Sequence, residues 1–242
     1  MKKFLIALIL VACATPASAA DVYIKVRTHT GAMEVMGQKV AATDVDNDVW
    51  IGGTKMASVT KDASFIINLD KNVVYLVNHA NKSYVEATLP LDFAKLLPPE
   101  AAPMLGMMQM SATVAPTTEK KTIGRWACTG YDMTISMMGM PLKVRVWAST
   151  DVPFDLAQFQ AKMMPAILQG QMRLNAASVA EFAKIKGYQI ASETTGEMMG
   201  AKINSSQEVL EMVQKAAPAG VYEPPAGYAK KSTLGMDDLQ RR

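Results

Sequence analysis

Histidine and cysteine are scarce: the 242-residue chain has two of each. That scarcity narrows the chemistry at once. His29 falls on the polar side of the first predicted strand and His79 beside a turn, and neither has a second histidine one helical turn away. No metal-ligand spacing results. No local signature asks for a Ser/His/Asp or Cys/His nucleophile. The chain also lacks a G-x-G-x-x-G turn and a Walker loop, so it offers no nucleotide cradle. One acidic run, Asp44-Val45-Asp46-Asn47-Asp48, resembles the start of a calcium loop. It fails where that geometry is strict, with Val49 at the glycine position and Lys55 at the bidentate glutamate position. A charge excess is missing as well: 25 Lys and Arg against 22 Asp and Glu leave +3. That balance carries no nucleic-acid footprint. Lys230-Lys231 and Arg241-Arg242 read as solvated clusters. The expectation is a protein that is not an enzyme, needs no cofactor and binds no nucleic acid.

Long apolar runs are absent too, apart from one at the start. Lys2 and Lys3 precede an unbroken apolar stretch from Phe4 to Ala12, and Ala17-Ser18-Ala19 follows. This is the layout of an export leader, and it is too short for a permanent span of about 20 residues. Cleavage after Ala19 or Ala20 is expected, which places the mature protein in the periplasm. Leu10-Val11-Ala12-Cys13 also fits a lipoprotein pattern, so anchoring through an acylated Cys13 is the alternative. If the leader is removed, Cys128 is the remaining thiol and cannot form an internal disulfide. A small buried hydrophobe is the first reading of Cys128. An intermolecular disulfide or a reactive thiol is the other.

Methionine is abundant where those residues are rare. There are 19, clustered as MLGMMQM at 104–110, MTISMMGM at 133–140, KMM at 162–164 and EMM at 197–199. Three readings suit them. They fill irregular gaps in a core, they line an adaptable apolar cavity, or, least favoured, their thioethers bind Cu(I).

Hydrophobic periodicity then orders the chain. Val22, Ile24 and Val26 alternate with Tyr23, Lys25, Arg27 and His29, which predicts a half-buried strand. Further strands follow at 39–46, 55–60, 65–69, 73–78 and 84–88, separated by Gly52-Gly53, Asp70-Lys71-Asn72 and Asn81-Lys82. The result is an antiparallel meander. Pro90 opens a short helix that Pro98-Pro99 stops, and Met104, Met107 and Met108 share one face of a second. Strands resume near Thr118. A hairpin turns at Gly139-Met140-Pro141, pairing the alternation of Tyr131 to Met137 with that of Leu142 to Val146. Leu156, Phe159, Met163 and Ile167 form a helical stripe with a break at Pro165. Ser178-Val179-Ala180-Glu181 has the form of a capping box for a helix ending at Gly187. Two last strands are expected at 189–195 and 201–213, the second with helix as its alternative. Pro224-Pro225 and Gly227 mark the end of the ordered part.

Several short pieces together resemble an uncharacterised family of exported bacterial proteins grouped with the lipoprotein-localisation-factor (LolA-like) superfamily. They are Asn81-Lys82-Ser83-Tyr84, Ile123-Gly124-Arg125-Trp126-Ala127-Cys128-Thr129-Gly130-Tyr131, Trp147-Ala148-Ser149-Thr150-Asp151-Val152-Pro153 and Val221-Tyr222-Glu223-Pro224-Pro225-Ala226-Gly227-Tyr228. The resemblance implies an α+β fold, a curved open antiparallel half-barrel with short helices across its mouth. The expected organisation is a signal peptide at 1–20, one domain at 21–230 and a tail at 231–242. The function implied is binding of a lipid, lipoprotein acyl chain or other hydrophobe by a monomer. Phe93, Leu96, Leu97, Met104, Met107, Met108, Phe159, Met163 and Ile167 are the expected lid and lining. An envelope protein-interaction or sensor module is the alternative, with Cu(I) handling behind it.

Overall fold

The computed structural model describes residues 21–35, 37–98, 110–137, 139–170, 174, 176–198, 200–235 and 238. The expected leader lies outside them. Fourteen strands occur among these residues, and twelve of them form one sheet. The first, β1 (Val22–Thr30), buries Val22, Ile24 and Val26 as its alternation requires. A small separate hairpin follows, made of β2 (Met33–Val35) and β3 (Gln38–Val40).

The meander is present, but the strand expected at 39–46 is divided: Gln38–Val40 belongs to the separate hairpin, and the meander begins at Thr43. β4 (Thr43–Gly52), β5 (Lys55–Val59), β6 (Ala63–Asn68), β7 (Val73–Asn78) and β8 (Ser83–Thr88) pair in chain order, all antiparallel. A second meander contains β9 (Met110–Ile123), β10 (Trp126–Met137), β11 (Met140–Ser149), β12 (Tyr188–Met198) and β13 (Ala201–Gln214). The β10–β11 hairpin is present but turns earlier than expected: Met140 and Pro141 already pair with Met137 and Ser136, which puts Met133 opposite Val144 and Ile135 opposite Leu142. β1 joins the two halves by pairing with β4 on one side and β13 on the other. β14 (Ala229–Lys231) adds a parallel strand to the edge of β8.

The α+β expectation is therefore wrong. Strand accounts for 57% of the described residues and helix for 13%, and the fold is largely all-β. Helical pieces are short: a 3-10 turn at Phe93–Leu96, a continuous segment at 156–170 and a helix at Ala176–Phe182. Two causes can be read from the chain. Strands run longer than local pattern suggests, so β9 begins at Met110 rather than near Thr118. The supposed capping box is also not a cap. Ser178 lies inside its helix, where its Oγ accepts from the Ala112 N–H at 3.0 Å. Glu181 Oε2 accepts from the Val114 N–H at 2.9 Å. Both side chains serve the outer edge of β9, whose backbone donors would otherwise lack strand partners. This helix stops at Phe182, well short of Gly187.

The expected break at Pro165 is absorbed rather than made. Phe159–Met163 is a π turn, and the Met164 N–H reaches back five residues to the Phe159 carbonyl. Met164–Gly170 then resumes as α-helix. Pro165 follows directly on this π turn, a local widening of the helix that accommodates a residue without a backbone N–H.

The sheet buries both faces of its first meander. Val22, Ile24, Ile51, Ile67, Leu76 and Val85 point toward the helical segment 156–170. Trp50, Ala57, Ile66, Tyr75 and Val77 point the other way, under Ala217, Val221, Tyr222 and Tyr228 of the chain that leaves β13. This explains why β6 and β7 are buried almost residue by residue. Order continues past Gly227. Leu234 is buried, and its N–H donates to the Leu96 carbonyl at 2.7 Å. Asp238 is buried as well and accepts from Asn78 Nδ2 at 2.7 Å. The described part of the expected tail is thus packed against the domain.

Candidate functional site

The helical segment 156–170 is the element around which a site is built. Asp155 caps it, with Oδ1 accepting from the Gln158 N–H at 2.9 Å. Its rotation is set by Gln160, whose Nε2 donates to the carbonyls of Ile185 (3.0 Å) and Gly187 (3.1 Å). Phe159 and Met163 consequently point into the sheet and are buried. Phe154, Phe159 and Tyr188 pack edge to face with centroids 5.4–5.5 Å apart. Burial in this cluster pushes the Tyr188 hydroxyl upward from its ordinary range.

The structure brings together six of the nine residues expected to bind. Leu96, Leu97, Phe159 and Met163 belong to one core cluster, and Phe93 and Ile167 lie half-buried against it. All six are part of the packed core or lie against it. Met104, Met107 and Met108 lie outside the described residues.

An open cleft of about 500 Å³ runs beside this core, along the next flank of the helical segment. Lys162, Pro165, Ala166 and Gln169 form its helical wall. Thr54, Leu69, Asp70, Asn72, Leu89 and Pro90 form the opposite wall, from the β4–β5 and β6–β7 turns and the exit of β8. The backbone of that wall satisfies itself. Leu69 N–H donates to Thr54 O at 3.0 Å, Leu89 N–H to Asn72 O at 3.1 Å, and Asn72 Nδ2 to Leu89 O at 3.1 Å. Leu69, Leu89, Pro90, Pro165 and Ala166 therefore present a greasy floor with no competing backbone donors. Asp70 lies 4.0 Å from Lys55 Nζ. Lys162 is exposed and has no hydrogen bond or ion pair among the described residues.

Sequence reasoning found the stripe 156, 159, 163, 167 and missed its neighbour. Residues 162, 165, 166 and 169 repeat at i, i+3, i+4 and i+7, which is the same helical period one flank over. Mixed chemistry hid that stripe. No pattern in sequence could have found the opposite wall, which comes from turns brought together by sheet pairing.

Other reactive side chains have plain structural roles. The acidic run on β4 is a cross-strand ladder: Asp44 pairs with His29 (2.9 Å), Asp46 with Arg27 (2.7 Å), and Asp48 accepts from the Tyr23 hydroxyl (2.6 Å). Arg27 holds the Asp46 carboxyl down at about 2, while burial and Asp48 push Tyr23 up to about 12. Cys128 is buried, which pushes its thiol upward. His79 Nε2 lies 2.7 Å from Ser64 Oγ, and its Nδ1 lies 3.0 Å from the Tyr228 hydroxyl. The second ring nitrogen meets a phenol there, where a catalytic triad places a carboxylate. Among the described residues no group of three His, Cys, Asp or Glu side chains is placed to hold a metal ion. No helix among them is long and apolar enough to cross a membrane.

No protein-family model and no curated protein matches the chain. Among solved structures it is similar to PNGF-II, in a C2 crystal form, with 13% sequence identity and a TM-score of 0.40. The likeness covers 86% of this chain, and the chain spans 31% of that protein's length.

Proposed function

We propose that this is a non-enzymatic periplasmic protein that binds a lipid, an acyl chain or another hydrophobe. The observation carrying the reading is the cleft between segment 156–170 and the turn ends of the first meander. Its volume of about 500 Å³ falls within the range of small-molecule sites, and five of its ten lining residues are aliphatic or proline. The other five, Thr54, Asp70, Asn72, Lys162 and Gln169, are polar or charged, and such a mix can orient an amphiphile. The half-barrel cavity expected from sequence plays no part in this reading, and the cleft replaces it.

Native mass spectrometry of protein purified from periplasm is expected to show adducts that solvent extraction removes. A fluorescent fatty-acid probe is expected to bind the extracted protein, and Gln169→Trp, which fills the cleft from its half-exposed rim, to weaken that binding at least about tenfold. A uniformly empty protein that also ignores the probe would overturn the proposal.

A further inference from the structure

We infer that the ligand of this cleft is a single-chain anionic amphiphile, its carboxylate or phosphate head on Lys162 and its chain along Leu69, Leu89, Pro90, Pro165 and Ala166. The inference rests on the binding reading above and adds the ligand's charge and chain number.

Charge comes first. Two of the ten lining residues are ionisable, Asp70 and Lys162. Asp70 has a counter-ion in Lys55, 4.0 Å away across the β4–β5 and β6–β7 turns. Lys162 has none among the described residues, whereas Lys184 pairs with Glu181 at 2.6 Å and Lys95 with Asp92 at 3.6 Å. The remaining polar lining is neutral, namely Thr54, Asn72 and Gln169, and the Asn72 amide is already committed to the Leu89 carbonyl. Lys162 is therefore the ionisable lining group without a partner among the described residues, while Asp70 has Lys55 4.0 Å away. A lysine stem lies along apolar surface while its ammonium stays in water at the mouth. That geometry suits an anionic head above a buried chain, and it opposes a cationic head by like-charge repulsion.

Size sets the chain number. A volume of about 500 Å³ lies in the lower half of the usual range for ligand sites, roughly 300–1,000 Å³. That volume is near that of one long acyl chain and too small for two side by side.

The test is competition against a bound fluorescent fatty-acid probe, using the full exported protein after delipidation. Competitors share one chain length: a fatty acid, a lysophosphatidic acid, the neutral fatty alcohol, an alkyltrimethylammonium and a diacyl phosphatidic acid. The two single-chain anions are expected to compete at least about tenfold better than the alcohol, as a charge-assisted hydrogen bond implies. Lys162→Gln is expected to abolish that preference, so that the anions compete no better than the alcohol. Lys162→Glu is expected to turn it toward the alkyltrimethylammonium. If anion and alcohol compete equally in the parent protein, or the preference survives in Lys162→Gln, the charge assignment is overturned while hydrophobe binding stands. If the diacyl lipid competes as well as its lyso form, the single-chain assignment falls. Inorganic phosphate displacing the probe without a chain would overturn the amphiphile assignment. If no competitor and no probe bind, the inference and the reading beneath it fall together.

Discussion

His79 sits where two parts of the chain 149 residues apart meet: the β6–β7 meander and the segment after β13. Burial lowers the imidazole below its ordinary 6.5, and Asp62, whose carbonyl accepts from the His79 N–H, pulls it partly back. Ser64 and Tyr228, the groups on its two nitrogens, carry no charge to offset protonation. The unfolded chain therefore takes up a proton first as pH falls. Stability from this group is complete above pH about 6.5 and is lost as pH falls through that value toward the lower folded one. Urea midpoints between pH 8 and pH 5 are expected to fall less in His79→Gln than in the parent. A parent without that extra fall would remove the assignment. Gly187 is a second residue with a single solution. Its φ is +135°, and an added Cβ would stand 2.7 Å from the Ser149 carbonyl oxygen. Gly187→Ala is expected to cost at least about 1–3 kcal/mol, read from the unfolding midpoint.

At the scale of elements, the sheet's outer strand β9 is closed by side chains rather than by another strand. Ser178→Ala leaves the Ala112 N–H without its acceptor in a buried setting, at a cost of about 1–3 kcal/mol. Glu181→Ala does the same at Val114, less severely because that carboxylate is partly solvated. The double variant is expected to show faster amide exchange at residues 112 and 114 and a lower thermal midpoint. Unchanged exchange there would mean that neither side chain protects the edge. The helical segment carries a different load. Met163 is buried beneath the π turn, so Met163→Ala is expected to destabilise by about 2–5 kcal/mol. The same change tests whether the cleft depends on the seating of its helical wall.

Across the whole molecule, the chain after β13 acts as a strap. It crosses the face formed by Trp50, Tyr75 and Tyr84, adds β14 to the edge of β8 and goes on to bury Leu234 and Asp238. Deleting residues 215–242 uncovers that aromatic face and the β8 edge together. Such a variant is expected to bind a hydrophobic dye and to self-associate, since an exposed strand edge beside an apolar patch invites pairing. A monomeric, dye-silent truncation would show that the strap is dispensable.

Much of the fold was legible because period-two alternation is local. The β10–β11 hairpin, the strands of the first meander and the inward side of β1 all follow from neighbouring residues. Helical periodicity likewise marked Phe159 and Met163 as inward-facing. What stayed hidden depends on contacts between distant residues. Alternation assigns a residue to a face but does not name the neighbouring strand, so the seating of β1 between β4 and β13 could not be read. Ser178 and Glu181 matched a helix start by spacing, yet the unpaired donors of β9 claimed them. By itself, then, the sequence determined β1, the strands from β5 to β8, the β10–β11 hairpin and the apolar side of the helical segment, because each depends on residues a few positions apart. Tertiary structure decided the all-β class, the strap and the cleft. The cleft exists only because turns near residues 54, 70 and 90 are gathered by the sheet beside Lys162 and Ala166.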